Sequence, residues 1–486
     1  MSATARAAAA AALALTLGAC AVGPDFHRPA PPAATRYTPA PSPATGSDAQ
    51  AYAPGLEVAA RWWTLFGSAQ LDALVEAALK ANPDLQAAHA ALRAAQENVR
   101  AQRGAYYPGV QAGASATRQR DATGTLSPTL ASGADLYNLY TPQVSVSYVL
   151  DAFGANRRQV EALAATAEAQ RFQYEATYVA LVANVMVTAI QCAGLQAQVE
   201  ATQELLRSNR EQLAILEREQ ALGGASGAAV AAQAALLAQA EATLPALQKQ
   251  LAQARDLLAV LTGRPPQDAP DLTVTLESLT LPAELPLTLP ARLVEQRPDI
   301  RAAEAQLHVA SAAVGVAIAA MLPQITISAQ GGSAASEFAS LFGEGTKFWS
   351  IGADLTQPLF AGGALVHHKR GAEATLEQAE ATYRSTVLTA LQNVADTLQA
   401  LEQDTRAFTA QRNAEEAAAR SLEIARRSVE LGALSHFAML GAEQAYLQAR
   451  MARLEAQAGR YADTVALYQA LGGGWWNRPA EVTRSP

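Results

Sequence analysis

Residues 82–115 read NPDLQAAHAALRAAQENVRAQRGAYYPGVQAGAS, and residues 297–330 read RPDIRAAEAQLHVASAAVGVAIAAMLPQITISAQ. Pro83 and Pro298 differ by 215 positions, as do Pro108 and Pro323, so the two stretches align without a gap. Further on, YEATYVALVANV from Tyr174 matches YRSTVLTALQNV from Tyr383, and LGGAS from Leu222 matches LGALS from Leu431, both at an offset of 209. Markers repeated in the same order mean two copies of one unit. Each copy predicts a helix ending at its second proline, two alternating segments, a very long helix, a glycine turn and a shorter helix.

The alternating segments decide the class. After Pro108, Val110, Ala112, Ala114 and Ala116 are apolar or small, while Gln111, Ser115 and Thr117 are polar. Val144, Val146 and Tyr148 alternate with Gln143, Ser145 and Ser147. The second copy sets Ile325, Ile327 and Ala329 against Thr326, Ser328 and Gln330, then Trp349, Ile351, Ala353 and Leu355 against Ser350, Gly352, Asp354 and Thr356. This is the period of a strand. One such strand reads as part of a half-buried soluble sheet. Four, in an exported chain with polar residues small enough to line water, point to a membrane barrel. Four strands do not close one, because the smallest have about eight, so several chains must contribute.

The helices are disproportionately long. From Ala155 to Ala221 the pattern stays helical without proline, which is roughly 100 Å at 1.5 Å per residue. The next helix carries a 3-4-3-4 seam: Val230, Gln233, Leu237, Ala240, Leu244, Leu247, Leu251, Ala254, Leu258, Leu261. The second copy repeats it from Phe437 and Leu440 through Gln444, Leu447, Met451, Leu454, Ala458, Tyr461 and Val465 to Tyr468. Such spacing means coiled-coil packing. The seams are offset by 207 and the turns by 209, so the copies present different faces. Pro245 interrupts the first seam and is expected to bend it. The helix before each strand pair and the one after the turn together span about 90 Å, near the length of the long helix. Each copy thus supplies two columns and one strand pair.

Composition agrees with this reading. Half of the 486 residues are hydrophobic, yet aromatics make up 6% and charged residues 16%, which favours long Ala- and Leu-rich helices over a thick core. Net charge −8 offers no excess to neutralise phosphates, so no nucleic-acid partner is expected. Residues 1–19 have signal-peptide layout, with Arg6 and then an apolar run too short to span a bilayer. Leu17-Gly18-Ala19-Cys20 resembles the bacterial lipobox, which makes Cys20 the expected lipid attachment site and the mature N-terminus. The remaining cysteine, Cys192, reads as a small buried hydrophobe, although a single disulfide is also open to an exported chain. The expected divisions are signal peptide 1–19, a lipid-anchored Pro/Ala-rich leader 20–60, repeat 1 at 61–270, a Pro-rich linker 271–296, repeat 2 at 297–475 and a tail 476–486.

The chain resembles the outer-membrane efflux channels of the TolC family, in the OprM/NodT lipoprotein branch. The resemblance rests on Cys20-Ala21-Val22-Gly23-Pro24-Asp25-Phe26, on Trp62-Trp63 with Phe66, on Glu295-Gln296-Arg297-Pro298-Asp299-Ile300 and on the turns Leu222-Gly223 and Leu431-Gly432. It implies a mainly α fold with a small membrane β part. Three chains would form a 12-strand β-barrel continuing into a 12-column α-helical barrel. It also implies a passive homotrimeric conduit in the outer membrane, docked to a periplasmic adaptor and an inner-membrane pump that exports drugs or other small molecules. Residues 118–139 and 332–347 would be extracellular loops, and the leader, linker and tail an equatorial belt.

By the same resemblance, Gly223 and Gly432 mark the adaptor-docking tips; an ordinary left-handed helix cap is the plain alternative. The acidic pore rings of some members are not matched, since Ala229, Ala438 and Gly441 stand at those positions. The latch Tyr and Arg of the best-known member fall on Val429 and Leu434. Glu443 is a nearby acid, but two positions turn a helical side chain by about 200°. A hydrophobic constriction by Leu434, Phe437 or Leu440 is expected instead. No catalytic residue, cofactor or metal site is expected. His367-His368-Lys369-Arg370 reads as a basic girdle near lipid headgroups or as simple solvated charge and not as a metal site, because neighbours on a helix diverge by about 100°. A duct for protein secretion and a pore-less coiled-coil scaffold are the competing readings, and cargo is not legible.

Overall fold

The computed structural model describes residues 21–38, 50–120 and 136–479. Its elements in chain order are β1 (Ala51–Pro54), α1 (Ala69–Ala81), α2 (Pro83–Arg103), β2 (Gly109–Arg120), β3 (Leu136–Leu150), α3 (Ala155–Ala221) and α4 (Gly227–Leu261). They continue with β4 (Glu284–Leu287), α5 (Pro290–Gln296), α6 (Pro298–Ala319), β5 (Gln324–Ser333), β6 (Lys347–Thr356), α7 (Ala364–Glu430) and α8 (His436–Ala470). The fold is mainly α with a small β part, and the duplication is carried into element lengths. The long helices α3 and α7 each have 67 residues, and α4 and α8 each have 35. Pro245 lies inside α4 without ending it. An 18-residue stretch of α3 is apolar enough to cross a membrane, but 78% of it is buried within the protein, so it serves as core.

The chain clusters into two compact units. The first comprises Met1–Pro29, Leu92–Gln170 and Ala303–Tyr383. Its centre is an antiparallel sheet in the order β2-β3-β5-β6. The expected loops are shorter than their sequence limits, because β2 runs on to Arg120 and β3 begins at Leu136. Residues 121–135 lie outside the described chain. In this unit a strap formed by Ala21–Arg28 runs past the start of α3 and along α6 from Glu304 to Gly315. Arg158, with 4% of its side chain exposed, donates to the Val22 and Gly23 carbonyls at 3.0 and 3.3 Å and pairs with Asp25 at 2.8 Å. Phe26 stacks on His308 at 4.3 Å, and His308 bonds Glu161 at 2.9 Å.

The second unit comprises Ala30–Ala91, Arg171–Ala302 and Arg384–Pro486. Its aromatic core explains the Trp62-Trp63 and Phe66 motif. These residues form a 3₁₀ turn closed by Gly67 at φ +72°, which aims three rings inward. Trp62 stacks on Tyr468 at 4.9 Å, and Phe66 lies 6.3 Å from Tyr461. The leader and the linker meet here, β1 pairing in parallel with β4 from Ala51↔Glu284 to Pro54↔Leu287. Both seams face inward: Gln233, Ala240, Leu251, Ala254 and Leu258 are buried on α4, as are Leu440, Leu447, Leu454, Tyr461, Val465 and Tyr468 on α8. Cys192 is a free, buried thiol packed with Leu195, Val199, Leu251 and Ala254, and burial pushes its pKa up to about 11.

The Asn-Pro-Asp and Arg-Pro-Asp starts act as structural clasps. The Asn82 carboxamide oxygen accepts from the Asp84 and Leu85 amides at 2.9 and 3.0 Å, and its Nδ2 donates to the Leu261 carbonyl. Arg297 pairs with Asp299 and donates to the Ala390 and Ala470 carbonyls at 3.4 and 3.1 Å. One residue therefore starts one helix and satisfies the exposed carbonyl end of another.

Candidate functional site

Two surfaces are candidates for the functional site. The first is the sheet. Its register lines up Val110, Val146, Ala329 and Ile351 as one row across all four strands, and Gln111, Ser145, Gln330 and Ser350 as the adjacent row. Adjacent rows point to opposite faces of a pleated sheet, so one face is apolar and the other is built from small polar groups. Among the described residues no core covers the apolar face: Val110, Trp349, Ile351 and Leu355 are 65–78% exposed. Among the described residues, β2 and β6 are each paired on one side only. An exposed apolar face with open edges is stable in hydrocarbon once the edges are paired.

The second surface is the pair of helix–turn–helix ends. Gly223 and Gly432 have φ +80° and +71°, and both close Schellman motifs. The Gly224 amide donates to the Glu219 carbonyl at 2.7 Å and the Gly223 amide to Gln220 at 2.9 Å; Ala433 to Ser428 and Gly432 to Val429 repeat this at 2.8 and 2.9 Å. Ser226 and Ser435 then cap α4 and α8 by accepting from Ala229 and Ala438. The expected cap geometry is therefore present. The space where either glycine would carry a Cβ is empty to 4 Å, and Leu222 and Leu431 stand 87% and 78% exposed beside them.

The residues near these turns are not equivalent. Leu434 is exposed, whereas Leu440 is 4% exposed and packs within the protomer. The Phe437 side chain and Cys20 lie outside the described residues. Glu443 is no open acid, since its carboxylate pairs with Arg426 at 3.3 Å and accepts from Gln212. The seam offset appears as a chemical difference. Gln233 is fully buried and donates to Asn209 at 3.1 Å, while Leu440 occupies the matching seam position on α8. His367 and His368 are exposed on the first turns of α7, beside a Lys369–Glu373 pair at 3.3 Å.

One feature had no signal in the sequence. Asp404 on α7 and Asp463 on α8 share a hydrogen bond, and burial together with Asp404 pushes the Asp463 carboxyl up to about 7. A pair assembled from two helices leaves no local motif.

The outer membrane efflux protein family matches residues 74–264 and 289–473, one stretch in each repeat, and the chain belongs to it. The chain is 32% identical over 417 residues to the pyoverdine export outer membrane protein OpmQ of Pseudomonas putida, covering 85% of this chain and 88% of that one. It is 33% identical over 356 residues to the solvent efflux pump outer membrane protein SrpC of Pseudomonas putida, covering 72% and 73%. The outer-membrane channel OprN superposes with a TM-score of 0.80 at 28% identity, covering 94% of this chain and all of that one. The Neisseria gonorrhoeae MtrE channel in its open state gives 0.81 at 27% identity, covering 94% and 99%. This chain is accordingly an outer-membrane efflux channel protein with a periplasmic portion, and the relatives named are channel or efflux proteins rather than enzymes.

Proposed function

We propose that three copies of this chain form the passive exit duct of a tripartite efflux system. The carrying observation is the four-stranded sheet, apolar on one face, small and polar on the other, with both edges unpaired among the described residues. Three such sheets joined edge to edge make a 12-strand barrel with lipid outside and water inside. The helices of the three copies would continue it as a 12-column barrel. The turns at Gly223 and Gly432 would receive a periplasmic adaptor, which links the duct to an inner-membrane pump. Leu434 would narrow the mouth, with Leu440 packed behind it. Cys20 would carry the lipid anchor. Relatives named for pyoverdine, solvent and antibiotic export favour small molecules over proteins as cargo.

Reconstitution in planar bilayers tests the duct, since purified trimers should conduct, at least after Leu434→Ala. Silence from both the wild type and that variant would count against a pore. A deletion strain should become more susceptible to part of a panel of antibiotics, dyes and solvents, and unchanged susceptibility throughout would remove the small-molecule reading.

A further inference from the structure

Close to the strap of the first unit lies a groove of about 310 Å³, lined by apolar residues including Leu150, Phe153, Val316 and Ala319 and by the polar Gln102, Asp151, Asn156, Gln159 and Gln324. The strap meets the lining at Phe153 and touches Gly154 and Gly315 beside it. The Val22 amide donates to the Phe153 carbonyl at 3.1 Å. A Cβ on Gly154 would come within 2.7 Å of Ala21, and one on Gly23 within 2.4 Å of Gly315, so the backbones touch where only glycine fits. Gly154 and Gly315 are chain neighbours of the lining residues Phe153 and Val316. Arg158 then fixes Val22, Gly23 and Asp25, so the position of residue 21 is set by the fold. The next residue toward the N-terminus is Cys20, one Cα–Cα step of about 3.8 Å away.

We propose that this groove holds an acyl chain of the lipid on Cys20. The inference rests on the lipidation of Cys20 proposed above. The occupant follows from the lining and from the tether. The apolar wall of Phe153, Val316 and Ala319 suits methylenes. Asn156 accepts from Gln102 at 2.6 Å, but its own Nδ2 is buried without a partner. A buried donor of this kind is costly unless something accepts from it, and the carbonyl that joins an acyl chain to its anchor is such an acceptor. A chain attached one residue beyond Ala21, which touches Gly154, has a high effective concentration there and outcompetes free phospholipid for the same space. The lipid then does more than hold the protein to a membrane: it fills the junction between the strap, the end of β3 and the end of α6.

The test uses the full chain in its own outer membrane, grown with a photoreactive palmitate analogue and analysed by mass spectrometry after irradiation. The expected result is label on Cys20 and cross-links to peptides carrying Leu150–Phe153 and Val316–Ala319. These cross-links should be lost in Cys20→Ala exported through a non-lipoprotein signal. Ala319→Trp should keep the label on Cys20 and lose the groove cross-links, which secures the comparison if Cys20→Ala fails to assemble. Label on Cys20 without groove cross-links overturns the proposal. So do groove cross-links that persist in Cys20→Ala, which would assign the groove to free phospholipid. Absence of any label on Cys20 overturns the lipidation reading itself, and the groove assignment with it.

Discussion

Asn82 donates its side-chain amide to the Leu261 carbonyl across 3.1 Å, and Arg297 donates to the Ala470 carbonyl across the same distance. The two donors open the same helix of the two repeats, and the two acceptors end the same helix. One contact has thus survived duplication with a change of chemistry. Arg297 also holds Asp299 and a second carbonyl. Arg297→Ala should therefore cost about 2–3 kcal/mol and Asn82→Ala about 1 kcal/mol. Denaturant unfolding of the detergent-purified protein reads both, and equal losses would refute the ranking.

Asp463 gives the stability a pH dependence of known sign. The folded protein holds its proton to about 7, whereas the ordinary value is 3.8. A group bound more tightly in the folded state stabilises fully below the lower value, and that stabilisation is lost as pH rises through the higher one. The charges nearby do not reverse this: Asp404 adds to the effect, and Arg460 is engaged over the Phe408 ring at 5.6 Å. Asp463→Asn should flatten melting temperature between pH 4 and 7 and leave the variant the more stable form above pH 7. A parallel pH profile for both proteins would contradict the assignment.

The Arg426–Glu443 pair is half in water, with 57% of the arginine side chain exposed. Such pairs are worth about 0–1 kcal/mol. If α7 and α8 must part near their turns for the duct to open, Arg426→Ala should raise open probability about two- to fivefold. Single-channel recording checks this, and an unchanged gating equilibrium would leave the pair a packing contact.

Gly223→Asn and Gly432→Asn separate the cap from docking. Asparagine tolerates the left-handed conformation, so each change should cost less than about 1 kcal/mol. It also places a side chain in the empty space beside each turn. Folding and trimer yield should stay near wild type while capture of the adaptor falls. Full adaptor capture by the double variant would reduce these glycines to caps.

Much of this architecture was legible because it follows from periodicity. Alternation placed all four membrane strands, and the run from Ala155 to Ala221 matches α3 end for end. The strand tips were not legible, since Arg118, Gln119 and Arg120 are polar on both faces and are held in the sheet by Asn138, Tyr137 and Leu136. The Pro/Ala-rich leader shows no periodicity that would place its contacts, yet Val22, Asp25 and Ala51 each have fixed partners. Those partners lie more than a hundred positions away, and no local pattern reports them. Glu443 illustrates the same limit. Its place on a helix was readable, but its engagement by Arg426 and Gln212 depends on how neighbouring helices turn.

The pairing of β1 with β4 imposes an order on biogenesis. The strand at Ala51–Pro54 has its partner at Glu284–Leu287, beyond the whole first repeat. A chain threading into the periplasm from its N-terminus must carry that strand unpaired while both long columns of the first repeat emerge. Domains ordinarily mature as they appear; this one cannot close until the linker arrives. Stalled export within the first repeat should therefore leave an exposed strand for periplasmic holdases and proteases, which makes the clasp a checkpoint on complete translocation.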